Sequence, residues 1–377
     1  MIYLILALYL LVIALRYDLL NRKNGRKFHF WLAYTLMVSL MIFRYRVGGD
    51  TLNYISMFEN STPSVFALEL LANGRYQLIP SLIFAGCKVL FDDFISVQAI
   101  FALFVNTVVF LFFKRNTKYY FTAILLYGLT FYMRLNCEIM RESLAVCFFL
   151  LGYPSLMKQK MIKYYVFAVL AYLCHSSAII VFILPFLLRD SYKKNVLLMF
   201  SIILFGAVLF VYRLQVMDSL SNYMDIYSDY NSTIWGKLYI VLFNIIIPSL
   251  FLYQTRGYLS RYVRIGVMFY LICSVASLFV YIAFRFNNYL MVFYILMVSD
   301  FFVHQWKNKT ISQSKIGVVL LTSVFLYSFM SSYFDDVTKT VGHEARWYCV
   351  WYPYYSVFNP ETDDDRETFI ANQRLGY

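Results

Sequence analysis

The chain has 377 residues, 61% of them hydrophobic and only 14% charged, whereas an ordinary soluble domain is about 25% charged. Its apolar residues come in long blocks, and its Lys and Arg fall mostly in the short breaks between them. The formal net charge of +12 is therefore read as a topology signal rather than as a nucleic-acid footprint, and a soluble globular class is excluded.

Runs of about 20 apolar residues are long enough to cross a bilayer as helices. They do not alternate apolar and polar residues every second position, as barrel strands do. The expected fold is an all-α polytopic transmembrane helical bundle of about 12 spans (10–14), with short re-entrant or interfacial segments at its outer face. In chain order the spans fall at 1–15, 28–43, 94–113, 119–133, 142–157, 161–174, 176–188, 195–212, 236–253, 265–283, 286–306 and 316–331. The first is read as a retained span. No basic residue precedes it and no small-residue cleavage pattern follows it. The stretch 76–91 is apolar but short, and it contains Pro80, Gly86 and Lys88. It is read as re-entrant or interfacial. The membrane domain then covers 1–331, followed by an extracytoplasmic tail, 332–377, partly packed on it. The acidic run 362–367 in that tail reads as solvated surface, and Tyr352-Pro353-Tyr354-Tyr355 just before it as interfacial.

With the N-terminus outside, the inner loops are 16–27, 114–118, 158–160, 189–194, 254–264 and 307–315. Together with Lys163 that side carries 20 of the 33 Lys and Arg, and only three acids, Asp18, Asp190 and Asp300. The asymmetry places both termini outside the cytoplasmic membrane. The six cysteines have no metal-ligand spacing and mostly lie in apolar runs, so no metal site and no disulfide framework are expected.

On this topology several charged residues collect at the outer face, where charge at membrane depth marks function. The first set is Arg44-Tyr45-Arg46-Val47-Gly48-Gly49-Asp50, with Tyr54 four residues on. Its Gly pair allows a tight turn, and its Arg side chains offer planar forks for phosphate or carboxylate. The second is Arg134, Glu138 and Arg141, spaced to share one helix face. The third is His175, between two apolar runs, a candidate general base. The fourth is Arg285, with Tyr289 one turn on and Asn287 and Asn288 beside it. Each has a structural rival: a snorkelling Arg, a loop Asp, or a His bonded to a backbone carbonyl.

These stretches resemble the EpsG family of Wzy-like bacterial polysaccharide polymerases. The resemblance rests on 44–51 with Tyr54, on Ile139-Met140-Arg141-Glu142-Ser143-Leu144-Ala145, on Ala171-Tyr172-Leu173-Cys174-His175-Ser176-Ser177-Ala178, on Arg285 with Tyr289, and on 352–358. One departure is Glu142, where the family often has Gln. The resemblance implies a glycosyltransferase that joins oligosaccharide repeat units carried on undecaprenyl diphosphate, outside the cytoplasmic membrane. It implies no nucleotide sugar, no cofactor and no metal. The expected partners are the lipid-linked oligosaccharide substrate, membrane lipids, a flippase and a chain-length regulator, with no nucleic acid. In such a reaction Arg44, Arg141 and Arg285 would stabilise the diphosphate leaving group. Asp50 or His175 would take the proton of the attacking hydroxyl, and Tyr45, Tyr54 and Tyr289 would hold sugar rings. Arg46, Arg134 and Glu138 complete the candidate substrate-binding set. A flippase, a glycan ligase and a membrane acyltransferase are the competing readings.

Overall fold

An apolar run that satisfies its own backbone hydrogen bonds forms a helix, and among the described residues every regular element is helical, with no strand. The computed structural model describes residues 1–60, 77–187, 234–279, 281–308 and 312–375. The expected span 195–212 and the loop 189–194 lie outside them.

The described α-helices longer than four residues are, in order, α1 (Ile2–Ala14), α2 (Arg26–Ile42), α3 (Thr51–Glu59), α4 (Leu78–Leu90), α5 (Phe94–Asn116), α6 (Tyr120–Thr130), α7 (Met140–Met157), α8 (Met161–Cys174), α9 (Ile179–Leu187), α10 (Ile234–Tyr239), α11 (Ile247–Thr255), α12 (Arg261–Ala276), α13 (Asn287–Asn308), α14 (Ser312–Met330) and α15 (Asp364–Leu375). A π segment, Leu15–Leu19, prolongs α1, and another, Ile240–Ile246, joins α10 to α11. Side-chain caps fix two starts: Asp93 accepts from the Ile95 amide before α5, and Ser260 accepts from the Val263 amide before α12.

Among the described residues, four helices are long and apolar enough to cross a membrane: Ile2–Leu19, Phe94–Asn116, Gly236–Thr255 and Ala283–Asn308. The dozen spans expected from hydropathy are not confirmed there, and breaks divide several of the described apolar runs. α6 stops at Thr130 after 11 residues, about 16 Å at the α-helical rise, against a hydrocarbon core of about 30 Å. The run after Met161 is divided at His175. The stretch expected to be re-entrant or interfacial is α4, a 13-residue helix whose Phe84 stacks on Phe101 of α5 at 6.0 Å between centroids.

α13 is the axis of the bundle. Most of its residues are buried, and it touches α6, α7, α11, α12 and α14. The helices run up and down, so their connections gather at two ends. At one end the basic loops meet. Arg26 donates to the Lys118 carbonyl, Lys307 donates to Asn21, and Tyr258 stacks on His304 at 3.6 Å. Asp18, 1% exposed, accepts there from the Thr122 amide and hydroxyl and pairs with Arg26.

At the other end, 350–357 runs antiparallel to 43–48. The Tyr45 amide donates to the Tyr355 carbonyl, the Gly48 amide to the Val350 carbonyl, and the Val357 amide to the Phe43 carbonyl. The polar stretch beyond it is not simply solvated. Asp364 and Asp365 are exposed, but Arg366 is 1% exposed, donating to the Cys349 and Pro353 carbonyls and pairing with Asp363.

α12 approaches α13 through Gly266, where an added Cβ would stand 2.3 Å from the Phe293 ring. Gly266→Ala should destabilise the protein by about 1–3 kcal/mol through overpacking, read as a lower melting temperature in detergent. Adding Phe293→Leu should restore much of the loss. An unchanged melting temperature in Gly266→Ala would show that the two helices do not meet there.

Candidate functional site

The second end is built from helix breaks, and each break presents a polar side chain that an unbroken apolar helix would bury among hydrocarbon. Gly48 makes the first turn. Its φ of +116° suits glycine, and a Cβ there would come within 2.6 Å of the Cys137 Cβ. The turn delivers Asp50 to the N-cap of α3, where its Oδ1 accepts from Asn53 at 2.9 Å. Beyond α6 a π segment, Arg134–Glu138, ends at Ile139, and α7 then starts with Arg141 and Glu142 in its first turn. After α8 the chain extends at His175 (φ −160°, ψ 135°) before a short 3-10 turn, Ser176–Ala178. A further 3-10 turn, Tyr281–Phe286, carries Arg285 to the start of α13.

These breaks converge. Tyr54, 3% exposed, contacts Arg141, and its hydroxyl lies 3.4 Å from the Glu138 carbonyl to which it donates. Arg141 also donates to Gln77 at 3.3 Å. Glu138 faces both Arg134 and Asp50, and Tyr333 donates to its carboxylate at 3.4 Å. Arg134 lies 6.0 Å from the centre of the Phe284 ring, and its buried Nε has no hydrogen-bond partner. Glu142, 2% exposed, accepts from Asn288 at 3.0 Å, touches Ser177, and faces Arg285 and Arg134. The Ser177 hydroxyl bridges His175 Nδ1, at 2.7 Å, and the Tyr289 hydroxyl, at 2.8 Å.

The tautomer of His175 follows from this geometry. The Ser177 amide donates to Nδ1 at 3.2 Å, so the lone pair is on Nδ1 and the proton of the neutral ring is on Nε2. His175 lies between the apolar helices rather than within one. Its burial, then Arg141 and Arg285, push its pKa well below the ordinary value, which keeps the ring neutral at pH 7.

Of the residues singled out in the sequence, the fold brings together Asp50, Tyr54, Arg134, Glu138, Arg141, His175, Arg285 and Tyr289. Two others it places elsewhere. Arg44 is 1% exposed, and its guanidinium donates to the Met41 carbonyl at 2.6 Å and to Met140 Sδ at 3.3 Å, with Nε buried and without a partner. It ties the end of α2 to the start of α7. Arg46 has φ +51° and donates to Glu367 of α15 at 2.5 Å, in a separate cleft. Four members of the cluster escaped the sequence reading. Glu142 was noted there only as a departure from a family pattern, and Asn288 only as a neighbour of Arg285. Ser177 and Tyr333 carry no signal of their own in the sequence.

The fold and this end of the bundle define an all-helical integral membrane protein with a charged, hydrogen-bonded site in its helix breaks. The EpsG family matches residues 27–356, most of the chain, and the chain belongs to that family. No curated protein and no solved structure matches it significantly. Family and fold together make it a membrane protein of polysaccharide biosynthesis.

Replacing Arg141 by Gln removes one of the two cations facing His175 and should raise the pKa of the ring. Histidine-selective NMR in detergent reads this, with His175→Gln to assign the signal among the four histidines. An unchanged titration would mean that Arg141 does not face the imidazole.

Proposed function

We propose that this protein is a polysaccharide polymerase of the bacterial cytoplasmic membrane. It takes oligosaccharide repeat units carried on undecaprenyl diphosphate and lengthens the glycan at the extracytoplasmic face. The observation that carries the reading is the meeting of Arg134, Arg141 and Arg285 with Asp50, Glu138, Glu142 and His175, at the end of the bundle opposite the basic loops. The positive-inside rule supports a cytoplasmic side for those loops, and in that orientation the cluster and both termini lie outside. A flippase that supplies the lipid-linked units and a chain-length regulator are the partners this reading calls for.

In the reaction, a hydroxyl oxygen of the incoming unit attacks the anomeric carbon of the growing chain. The bond from that carbon to the phosphate oxygen breaks, and its electron pair stays on the lipid diphosphate. Charge grows on that leaving group, and Arg141 and Arg285 stabilise it, a preorganised role that is strongest where water is sparse. Asp50 takes the proton of the attacking hydroxyl. His175, with Nδ1 engaged by Ser177, serves as a donor through Nε2 rather than as the base. Glu138 and Glu142 compensate the Arg groups in the absence of substrate, and Tyr54 and Tyr289 hold the sugars next to the bond that breaks.

The test is a gene deletion in the host, with surface glycan resolved as a ladder. Loss of the protein should collapse the ladder to single repeat units, and the wild-type gene should restore it. Arg141→Ala, Arg285→Ala and Asp50→Asn, each present at normal level, should each slow polymerisation by about 10²–10³-fold. A ladder unchanged by deletion would overturn the reading. Loss of all surface glycan, with lipid-linked units building up on the inner side, would favour export instead.

A further inference from the structure

Arg46 stands outside the cluster, yet it lines a cleft of about 470 Å³ between α3 and α15. The walls are Leu52, Ile55, Ser56 and Glu59 on one side and Glu367 and Thr368 on the other. α3 therefore has two working faces. Thr51, Tyr54 and Phe58 are buried in the bundle, with Tyr54 against Arg141. The residues at 52, 55, 56 and 59 face the cleft, as the helical period of 3.6 dictates. Asp50 stands at the N-cap position of the same helix, and Glu59 lies about 13 Å along it at the α-helical rise.

The lining chemistry selects the occupant. One guanidinium stands against two carboxylates, and Glu367 already holds the Arg46 Nε. A net acidic lining repels phosphate, so Arg46 is not part of a diphosphate site. Carboxylates, a guanidinium and the Ser56 and Thr368 hydroxyls together offer donors and acceptors for a hydroxyl-rich ligand, and Leu52 and Ile55 offer an apolar wall for its C–H faces. The Arg46 and Glu367 side chains are 28% and 30% exposed, so their polar atoms remain within reach of a ligand.

We propose that this cleft is a glycan-binding subsite, one that holds sugar units of the oligosaccharide while its reacting end lies at Asp50 and Arg141. The inference rests on the polymerase reading and adds a second site to it. Arg46, Glu59, Ser56 and Thr368 would hold the glycan through hydroxyl hydrogen bonds, without touching the reacting atoms.

The probe is the repeat-unit oligosaccharide freed from its lipid and titrated by calorimetry into the full-length protein in detergent. Wild type should bind it. Thr368→Trp and Ser56→Trp, which fill the cleft from opposite walls, should weaken binding at least tenfold and shorten the ladder in the host. Thr368 is exposed, so its replacement serves if Ser56→Trp fails to fold. Glu59→Gln, also at an exposed position, should weaken binding in the same direction. Equal binding by wild type and Thr368→Trp, in a protein that restores the ladder, would overturn the subsite and leave the polymerase reading standing. A wild type whose deletion leaves the ladder intact would overturn both.

Discussion

Charge taken out of water must meet opposite charge or hydrogen-bond partners close by, and much of this structure is arranged around that constraint. An unpaired buried ion costs several kcal/mol after relaxation, and a well-placed partner offsets much of it. Glu142 is 2% exposed in the first turn of α7 and is held there because Asn288 donates to it and Arg285 and Arg134 face it. Glu138 likewise faces Arg134 and accepts from Tyr333. The members come from α3, the π segment after α6, α7, the break after α8, and the entry to α13, so the charges tie these elements to one another.

The breaks make this possible. A continuous span would satisfy its backbone and present only hydrocarbon, whereas a π segment or a 3-10 turn frees a local polar position without exposing backbone to lipid. Gly48 allows the loop before Asp50 to turn against Cys137. The antiparallel pairing of 350–357 with 43–48 then holds that loop from the other side. Arg366 ties the same region through the Cys349 and Pro353 carbonyls, so a polar tail far along the chain helps fix a loop near its start. At the opposite end of the bundle, basic loops are held together by Asp18, Arg26 and Lys307.

Much of this was legible in the sequence. Helical class follows from apolar runs without alternation, and eight charged or aromatic candidates do meet in space. The positions at which the apolar runs break were not legible, because hydropathy registers apolar content and not helix continuity. α6, which stops at Thr130, and the run divided at His175 are the clearest cases. Arg44 and Arg46 looked like a pair because they are two residues apart. The positive φ at Arg46 turns the chain between them, so one guanidinium enters the packing of α2 on α7 and the other faces α15.

The sequence by itself determined the solvent of this protein, its helical class and the residue types able to carry its chemistry, because hydrophobicity and charge act locally along the chain. Tertiary structure alone decided which charges compensate which, where the His175 proton resides and how Arg44 packs between α2 and α7. Those depend on distances between residues as far apart as Glu142 and Asn288, or Arg46 and Glu367, and such distances exist only once the helices have packed.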